Sequence, residues 1–167
     1  TLIGLIDEDK DRAKKFVEEL AFVYRYLLQS SEKPLIPLSE ELAFIKAYYF
    51  LLKTRFDERL LLDIYVGNEI AQQMIPPLTL QILLENAVKH NIISQETPLH
   101  IVISEVNSNK VVISNTLQRR AQSVVSTQTG LANLAAKYQL MQQPGPEIFE
   151  TQDKFSVQIT LLPNQAS

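Results

Sequence analysis

The chain of 167 residues has no cysteine and no tryptophan, only two histidines and only four glycines. The lack of cysteine excludes disulfides, thiolate metal sites and a cysteine nucleophile. The four glycines stand too far apart for either common glycine-rich phosphate loop, G-x-G-x-x-G or G-x-x-x-x-G-K-[ST]. The formal net charge is -3, and because it carries no basic excess we expect no nucleic-acid partner. No apolar run approaches the roughly 20 residues that span a bilayer.

The apolar pattern predicts a packed α+β domain. Apolar residues at three- and four-residue spacing indicate helices, and alternating ones indicate strands. The predicted helices span residues 9–30, 39–57, 78–91 and 131–142, and the predicted strands span 60–66, 100–106, 110–114, 148–151 and 155–161. This order favours one mixed sheet covered by helices on one face. Pro34 and Pro37 form a stiff connector, so we place a boundary between an N-terminal helix, residues 1–33, and a domain spanning 34–167.

The start of the second helix carries polar residues typical of a helix N-terminus. Ser39 is a suitable N-cap, and Glu40 and Glu41 fall in the first turn. Acidic groups interact favourably there with the helix dipole. The sequence therefore places the start of the second helix at about residue 39.

The helix predicted over residues 78–91 divides into two faces at about 100° per residue. The apolar set is Leu80, Leu83, Leu84, Ala87 and Val88, and the polar set is Gln81, Glu85, Asn86, Lys89 and His90. The simplest interpretation is a solvated face with a Glu85–Lys89 pair worth about 0.2–0.5 kcal/mol. Asn, however, is a poor residue inside a helix. An amide oxygen with a lysine one turn away is suited to Mg²⁺ bound to a triphosphate.

The run Glu85-Asn86-Ala87-Val88-Lys89-His90 resembles the N-box of GHKL ATP-binding domains, in the form found in LytS/YehU-type sensor histidine kinases. Other stretches are similar to the same family in the same order. They are LSEEL at 38–42, IPPLTLQ at 75–81 and GLANL at 130–134. The resemblance covers about residues 20–162 and implies a two-layer α/β sandwich of GHKL (Bergerat) type. The preceding helix would be the second helix of the dimerisation and phosphoacceptor region.

The resemblance also implies a site for ATP and Mg²⁺. The residues that it assigns to ATP are Asn86, Lys89, His90, Asn115, Gly130, Leu131 and Asn133. Asn86 would also coordinate Mg²⁺, and Lys89 and His90 would contact phosphate. Glu85 would act as a base or position a water. Gly130 begins a helix whose free N–H groups suit phosphate.

Some positions depart from the family pattern. Asn115 and Thr116 stand where the adenine box has Asp-x-Gly, and Asn115 is either an adenine contact or a turn residue at a strand end. Gln128 replaces the first glycine of the G-x-G-L element. Ile82 occupies a position where many GHKL proteins carry a polar or acidic residue, which counts against efficient ATP hydrolysis. The polar segment 116–129 would be the ATP lid.

The resemblance implies the ATP-binding catalytic domain of a two-component histidine kinase. It would transfer the ATP γ-phosphoryl group to a histidine upstream of this chain, so neither His90 nor His100 is expected to accept phosphate. A response regulator would be the partner of the full-length protein. We expect a cytoplasmic domain, and the parent would be an inner-membrane sensor only through missing upstream segments.

The N-terminal helix is the predicted dimerisation element. It is expected to expose Phe16, Leu20 and Leu27 and to form a homodimer through them. The alternative function is a degenerate, non-catalytic GHKL signalling module that acts through this dimerisation. A free GHKL ATPase is a weaker alternative, because Ile82 takes the place of an acid.

Overall fold

The computed structural model describes residues 3–4, 6, 9–30, 32–118 and 129–164. Its elements in chain order are α1 (Lys10–Ser30), β1 (Ile36–Pro37), α2 (Leu38–Phe56), β2 (Leu60–Tyr65), α3 (Asn68–Ala71), β3 (Met74–Ile75), α4 (Thr79–His90), β4 (Leu99–Asn107), β5 (Lys110–Thr116), α5 (Thr129–Leu140), β6 (Glu147–Glu150) and β7 (Lys154–Thr160). Every predicted helix and strand is present, with bounds close to those expected. In the part of the chain that is described, no helix combines the length and apolar character needed to cross a membrane.

The long strands form one five-stranded mixed sheet in the order β2-β4-β5-β7-β6. Strand β2 pairs parallel with β4, and the other neighbours pair antiparallel. The inward row contains Ile101, Ile113 and Val157, which are buried under the helices. The alternate residues, such as His100 and Val102, are partly exposed on the other face. The prediction of an α+β fold with one helix-covered sheet face is confirmed.

The helices α2, α4 and α5 are fixed to the sheet by large buried side chains. These include Leu38, Phe44, Ile45, Leu80, Leu84, Leu134 and Tyr138. The hydroxyl of Tyr138 donates to the carbonyl of Thr160 at 2.8 Å, which ties α5 to β7. Helices α4 and α5 therefore lie on the same face of the sheet and contact each other.

Helix α1 packs along α2 of the same chain. The ring of Tyr26 stacks on Phe44 with 4.3 Å between ring centroids, and Tyr26 is buried. The residues expected to be exposed, Phe16, Leu20 and Leu27, are partly buried, so this detail of the prediction is wrong. The exposed apolar residues of the helix are Val17, Tyr24 and Leu28, at 50%, 60% and 75% exposure. The packing partner α2 thus decides which apolar stripe of α1 is covered.

Candidate functional site

Helix α4 has the two faces that its sequence predicts. The apolar residues with at most 5% exposure are Leu80, Leu83, Leu84 and Ala87, while Val88 is only partly buried. On the polar side, Glu85 and Lys89 are exposed, and Asn86 and His90 are partly buried. The helix therefore presents its polar groups at the surface while its apolar groups fix it to the core.

The carboxamide of Asn86 is available to a ligand. Among the residues that the structure describes, neither Asn86 nor Lys89 has a hydrogen-bond or ion-pair partner. A half-buried amide normally finds a partner, from protein, water or ligand. An amide oxygen is a ligand type that Mg²⁺ accepts, and Mg²⁺ commonly takes only one or two ligands from protein. These two residues therefore fit a Mg²⁺–phosphate group.

Gly130 brings the start of α5 against α4. A Cβ at this position would lie 3.0 Å from Cγ2 of Ile82. Ile82 precedes Asn86 by four residues, so the two side chains lie on one face of α4, one turn apart. The N-terminus of a helix suits an anion, because the first N–H groups of a helix lack acceptors within it. Gly130 and Asn86, which the sequence assigned to one site, therefore lie near each other.

Gly130→Ala is expected to carry a packing cost of about 1 kcal/mol, because the added methyl group requires Ile82 to move, and this cost opposes the gain of up to about 1 kcal/mol that alanine brings to a helix. The cost should disappear in an Ile82→Ala background, where the space is free. Urea unfolding of the four variants in this double-mutant cycle measures the coupling. Gly145→Ala is the matched control, since its Cβ would meet nothing within 4 Å. Equal costs of Gly130→Ala in both backgrounds would show that the two side chains do not compete.

Glu85 is held toward α2. Its Oε1 accepts a hydrogen bond from the hydroxyl of Tyr48 at 3.0 Å and another from Nε2 of Gln81 at 2.9 Å. Burial and the adjacent Glu85 charge raise the pKa of Tyr48 to about 12, so its hydroxyl stays protonated and donating. The sequence assigned Tyr48 no role in the site. The structure makes it the residue that orients the predicted base.

Asn115 lies within β5, opposite Ile101 of β4 and Phe155 of β7. Since Ile101 faces the helices, Asn115 does too, and it is 6% exposed. Its Nδ2 donates to the carbonyl of Thr116 at 2.7 Å. The residue is therefore a strand residue on the helix-covered face rather than a turn residue, which is compatible with contact to a base.

Asn91 joins the end of α4 to the segment after β5. It is 2% exposed, its Nδ2 donates to the carbonyl of Ala87 at 2.8 Å, and its Oδ1 accepts from the N–H of Gln118 at 2.6 Å. The sequence did not mark Asn91 for this role. Of the predicted lid, residues 116–129, Thr116 belongs to β5 and Thr129 to α5, and residues 119–128, including Gln128, lie outside the described residues.

The other residues that the sequence assigned to the ATP site, and the second histidine, lie on different elements. Leu131 is partly buried in the first turn of α5, and Asn133 is exposed further along the helix. His90 is the last residue of α4. His100 lies on the opposite face of the sheet, where its Nε2 is 2.6 Å from Oδ2 of Asp63. The second histidine is therefore outside the site, as the sequence predicted.

Glu41 has a role that the sequence did not predict. It is completely buried, and its carboxylate accepts hydrogen bonds from the backbone N–H groups of Leu78 and Leu80 at the start of α4. The sequence pattern could have indicated this burial. Leu38 and Ile45, three residues before Glu41 and four residues after it, are core residues on the same helix face. Glu41 thus supports the helix that carries Asn86.

The chain is similar to histidine kinases in its fold and in part of its sequence. A histidine kinase family profile matches residues 1–60. The cytoplasmic segment of histidine kinase QseC shares the fold, with a TM-score of 0.52 and 16% identity, over 92% of this chain and 95% of that one. The catalytic domain of histidine kinase ThkA aligns with a TM-score of 0.51 and 14% identity, over 77% of this chain and 97% of that one.

Part of the sequence is similar to LytS sensor proteins. The sensor protein LytS of Bacillus cereus is 34% identical over 90 residues, which cover 54% of this chain and 15% of the relative. The sensor histidine kinase/phosphatase LytS of Staphylococcus aureus is 27% identical over 124 residues, which cover 74% of this chain and 21% of the relative. The resemblance to LytS-type sensor histidine kinases is confirmed. The chain spans less than a quarter of the length of these relatives.

Proposed function

We propose that this chain is the ATP-binding catalytic domain of a two-component sensor histidine kinase, with ATP and Mg²⁺ as its ligands. One observation carries the proposal. The carboxamide of Asn86 is half-buried without a partner among the described residues, one helical turn from the contact between Ile82 and Gly130. Residues 1–33 would form the dimerisation region and residues 34–167 the ATP-binding domain, located in the cytoplasm.

Each residue around Asn86 has a role that its position supports. The oxygen of Asn86 would hold Mg²⁺, and the ammonium group of Lys89, one turn along, would contact phosphate. The first N–H groups of α5, at Gly130, would bind phosphate oxygens. Asn115, on the helix-covered face, would accept from the adenine amino group. Bound Mg²⁺ would neutralise charge on the phosphate oxygens during transfer.

The proposed reaction moves the γ-phosphoryl group of ATP to a histidine in a segment preceding this chain in the full protein. The bond from the γ-phosphorus to its bridging oxygen breaks, ADP leaves, and a phosphorus–nitrogen bond forms. Glu85, oriented by Tyr48, would act as a base or position a water. A response regulator would then take the phosphoryl group from the full-length protein.

Titration calorimetry with Mg–ADP and with a non-hydrolysable ATP analogue tests the proposal. We expect saturable binding that weakens at least about tenfold when EDTA removes the metal, equivalent to about 1.4 kcal/mol. No binding at about 1 mM nucleotide by a folded chain would contradict it.

One observation favours a non-catalytic signalling module as the second candidate. Ile82 packs against Gly130 at the place where many relatives of the GHKL type carry a polar or acidic residue. Such a module would signal through dimerisation and would show no nucleotide binding in the same titration.

Dimerisation in either case is proposed to use the exposed stripe of α1, defined by Val17, Tyr24 and Leu28. Their spacing of seven and four residues places them on one helix face. We expect Tyr24→Asp to convert a dimer to a monomer, because it puts a charge into an apolar contact. Light scattering after size-exclusion chromatography gives the mass. Tyr65→Asp is the matched control, since Tyr65 is 63% exposed at the end of β2 and Tyr24 is 60% exposed.

The measured masses can also contradict dimerisation through the exposed stripe of α1. If Tyr24→Asp stays dimeric, or if Tyr65→Asp dissociates equally, dimerisation does not use this face of α1. A dimer of the unaltered chain that dissociates only in Tyr24→Asp is the expected result.

A further inference from the structure

The buried carboxylate of Glu41 joins three helices. It lies on α2, is completely buried, and accepts a hydrogen bond from the hydroxyl of Tyr26 on α1. It also accepts from the N–H of Leu78 at 2.7 Å and from the N–H of Leu80 at 2.9 Å. One side chain therefore connects the N-terminal helix to the first turn of α4.

Helix α4 depends on this outside acceptor. The first N–H groups of a helix lack acceptors within the helix. The residue at the N-cap is Leu78, which has no polar side chain and takes a left-handed backbone conformation with φ 66°. The hydroxyl of Thr79 donates to the carbonyl of Pro76. Glu41 consequently supplies the cap that the helix does not contain.

A second connection between α1 and α4 runs through aromatic rings. Tyr26 stacks on Phe44 at 4.3 Å between centroids, and Phe44 stacks on Tyr48 at 5.9 Å. The hydroxyl of Tyr48 then donates to Glu85, the neighbour of Asn86 in the chain. Tyr26 thus contacts both routes from α1 to α4, one at the first turn of α4 and one beside Asn86.

We propose that Tyr26 and Glu41 are positioning residues, through which the placement of helix α1 sets the affinity of the Asn86 site for Mg²⁺–nucleotide. This inference rests on the proposed function, since it concerns regulation of the same site. Neither residue touches the nucleotide. They act by fixing the start of α4 relative to α1, so that a displacement of α1 changes the position of the helix carrying the metal ligand.

Tyr26→Phe tests the inference because it keeps the aromatic stack and removes only the hydroxyl that Glu41 accepts. We expect the Kd for Mg–ADP to rise about fivefold, as for one lost hydrogen bond. We also expect the backbone amide of Leu80 to exchange its hydrogen faster. Tyr49→Phe is the matched control, because it removes a hydroxyl that donates to the carbonyl of Leu60 at 2.9 Å, away from α4. It should change neither quantity.

The outcomes separate the inference from the proposed function. Absence of Mg–ADP binding by the unaltered chain would overturn both. Binding by the unaltered chain, with unchanged affinity or unchanged Leu80 exchange in Tyr26→Phe, would overturn the positioning role alone. Equal effects of Tyr26→Phe and Tyr49→Phe would also overturn it, because they would report general loss of stability.

Discussion

Asn86→Ala is expected to weaken the binding of Mg–ADP at least about tenfold, which corresponds to about 1.4 kcal/mol. The variant removes the only amide oxygen that helix α4 presents beside Lys89 on its polar face. The fold should be unaffected, because Asn86 makes no hydrogen bond with the described residues and Ala is the better helix residue. Titration calorimetry gives the affinity, and urea unfolding verifies the stability.

Asn68→Ala provides the matched control for this variant. Asn68 is exposed in the short helix α3, and the same substitution there removes an identical carboxamide. It should bind Mg–ADP as the unaltered chain does. If Asn86→Ala also binds with unchanged affinity, Asn86 does not hold the metal.

Glu41→Leu is expected to lower the free energy of unfolding by about 3–9 kcal/mol. Leucine has a similar volume, but the hydroxyl of Tyr26 and the N–H groups of Leu78 and Leu80 would remain buried without an acceptor. Each such donor costs about 1–3 kcal/mol. Domains of this kind have about 5–15 kcal/mol in total, so urea unfolding should show a marginally stable variant.

Glu40→Leu is the control for this loss, because Glu40 is exposed on the same turn and lies 4.0 Å from Lys33 in a surface pair. It should cost less than about 1 kcal/mol. Equal losses in the two variants would contradict a special role of Glu41.

The loss in Glu41→Leu should also depend on pH. Burial raises the pKa of Glu41 above its ordinary 4.5, and the hydrogen bonds from Tyr26, Leu80 and Leu78 offset only part of this. A raised pKa means that the native state keeps a proton which the unfolded state loses. The contribution of Glu41 is therefore full below pH 4.5 and declines as the pH rises toward its native pKa. The difference between the unaltered chain and Glu41→Leu should shrink over that range, and a growing difference would contradict the burial.

Periodicity identified the long elements because their buried faces are regular. In β7, Phe155, Val157 and Ile159 alternate with polar residues, and the strand forms over Lys154–Thr160. The two-residue strands β1 and β3 are too short to show a period, so the sequence does not predict them. Helix α1 has apolar residues on more than one face, and only packing against α2 selects the stripe that is buried.

A residue of the candidate site can be proposed from the sequence where it is unusual in its local setting. Asn86 stands out because asparagine is unfavourable inside helices. Glu41 does not stand out, because an acid in a first helical turn is ordinary. Its partners Leu78 and Leu80 follow it by 37 and 39 residues and offer backbone N–H groups, which leave no trace in the sequence. Contacts of this kind depend on the tertiary fold.

Paramagnetic broadening tests most directly whether Asn86 holds the metal ion of a bound nucleotide. Mn²⁺ can replace Mg²⁺ in a complex with ADP, and it broadens the NMR signals of nearby nuclei. We expect the signals of the side-chain amide of Asn86 and of the backbone amides of Lys89 and Gly130 to broaden, while the signal of the His100 amide on the opposite sheet face stays sharp. Bound Mn–ADP that leaves the Asn86 side chain sharp, or that broadens His100 instead, would contradict this expectation.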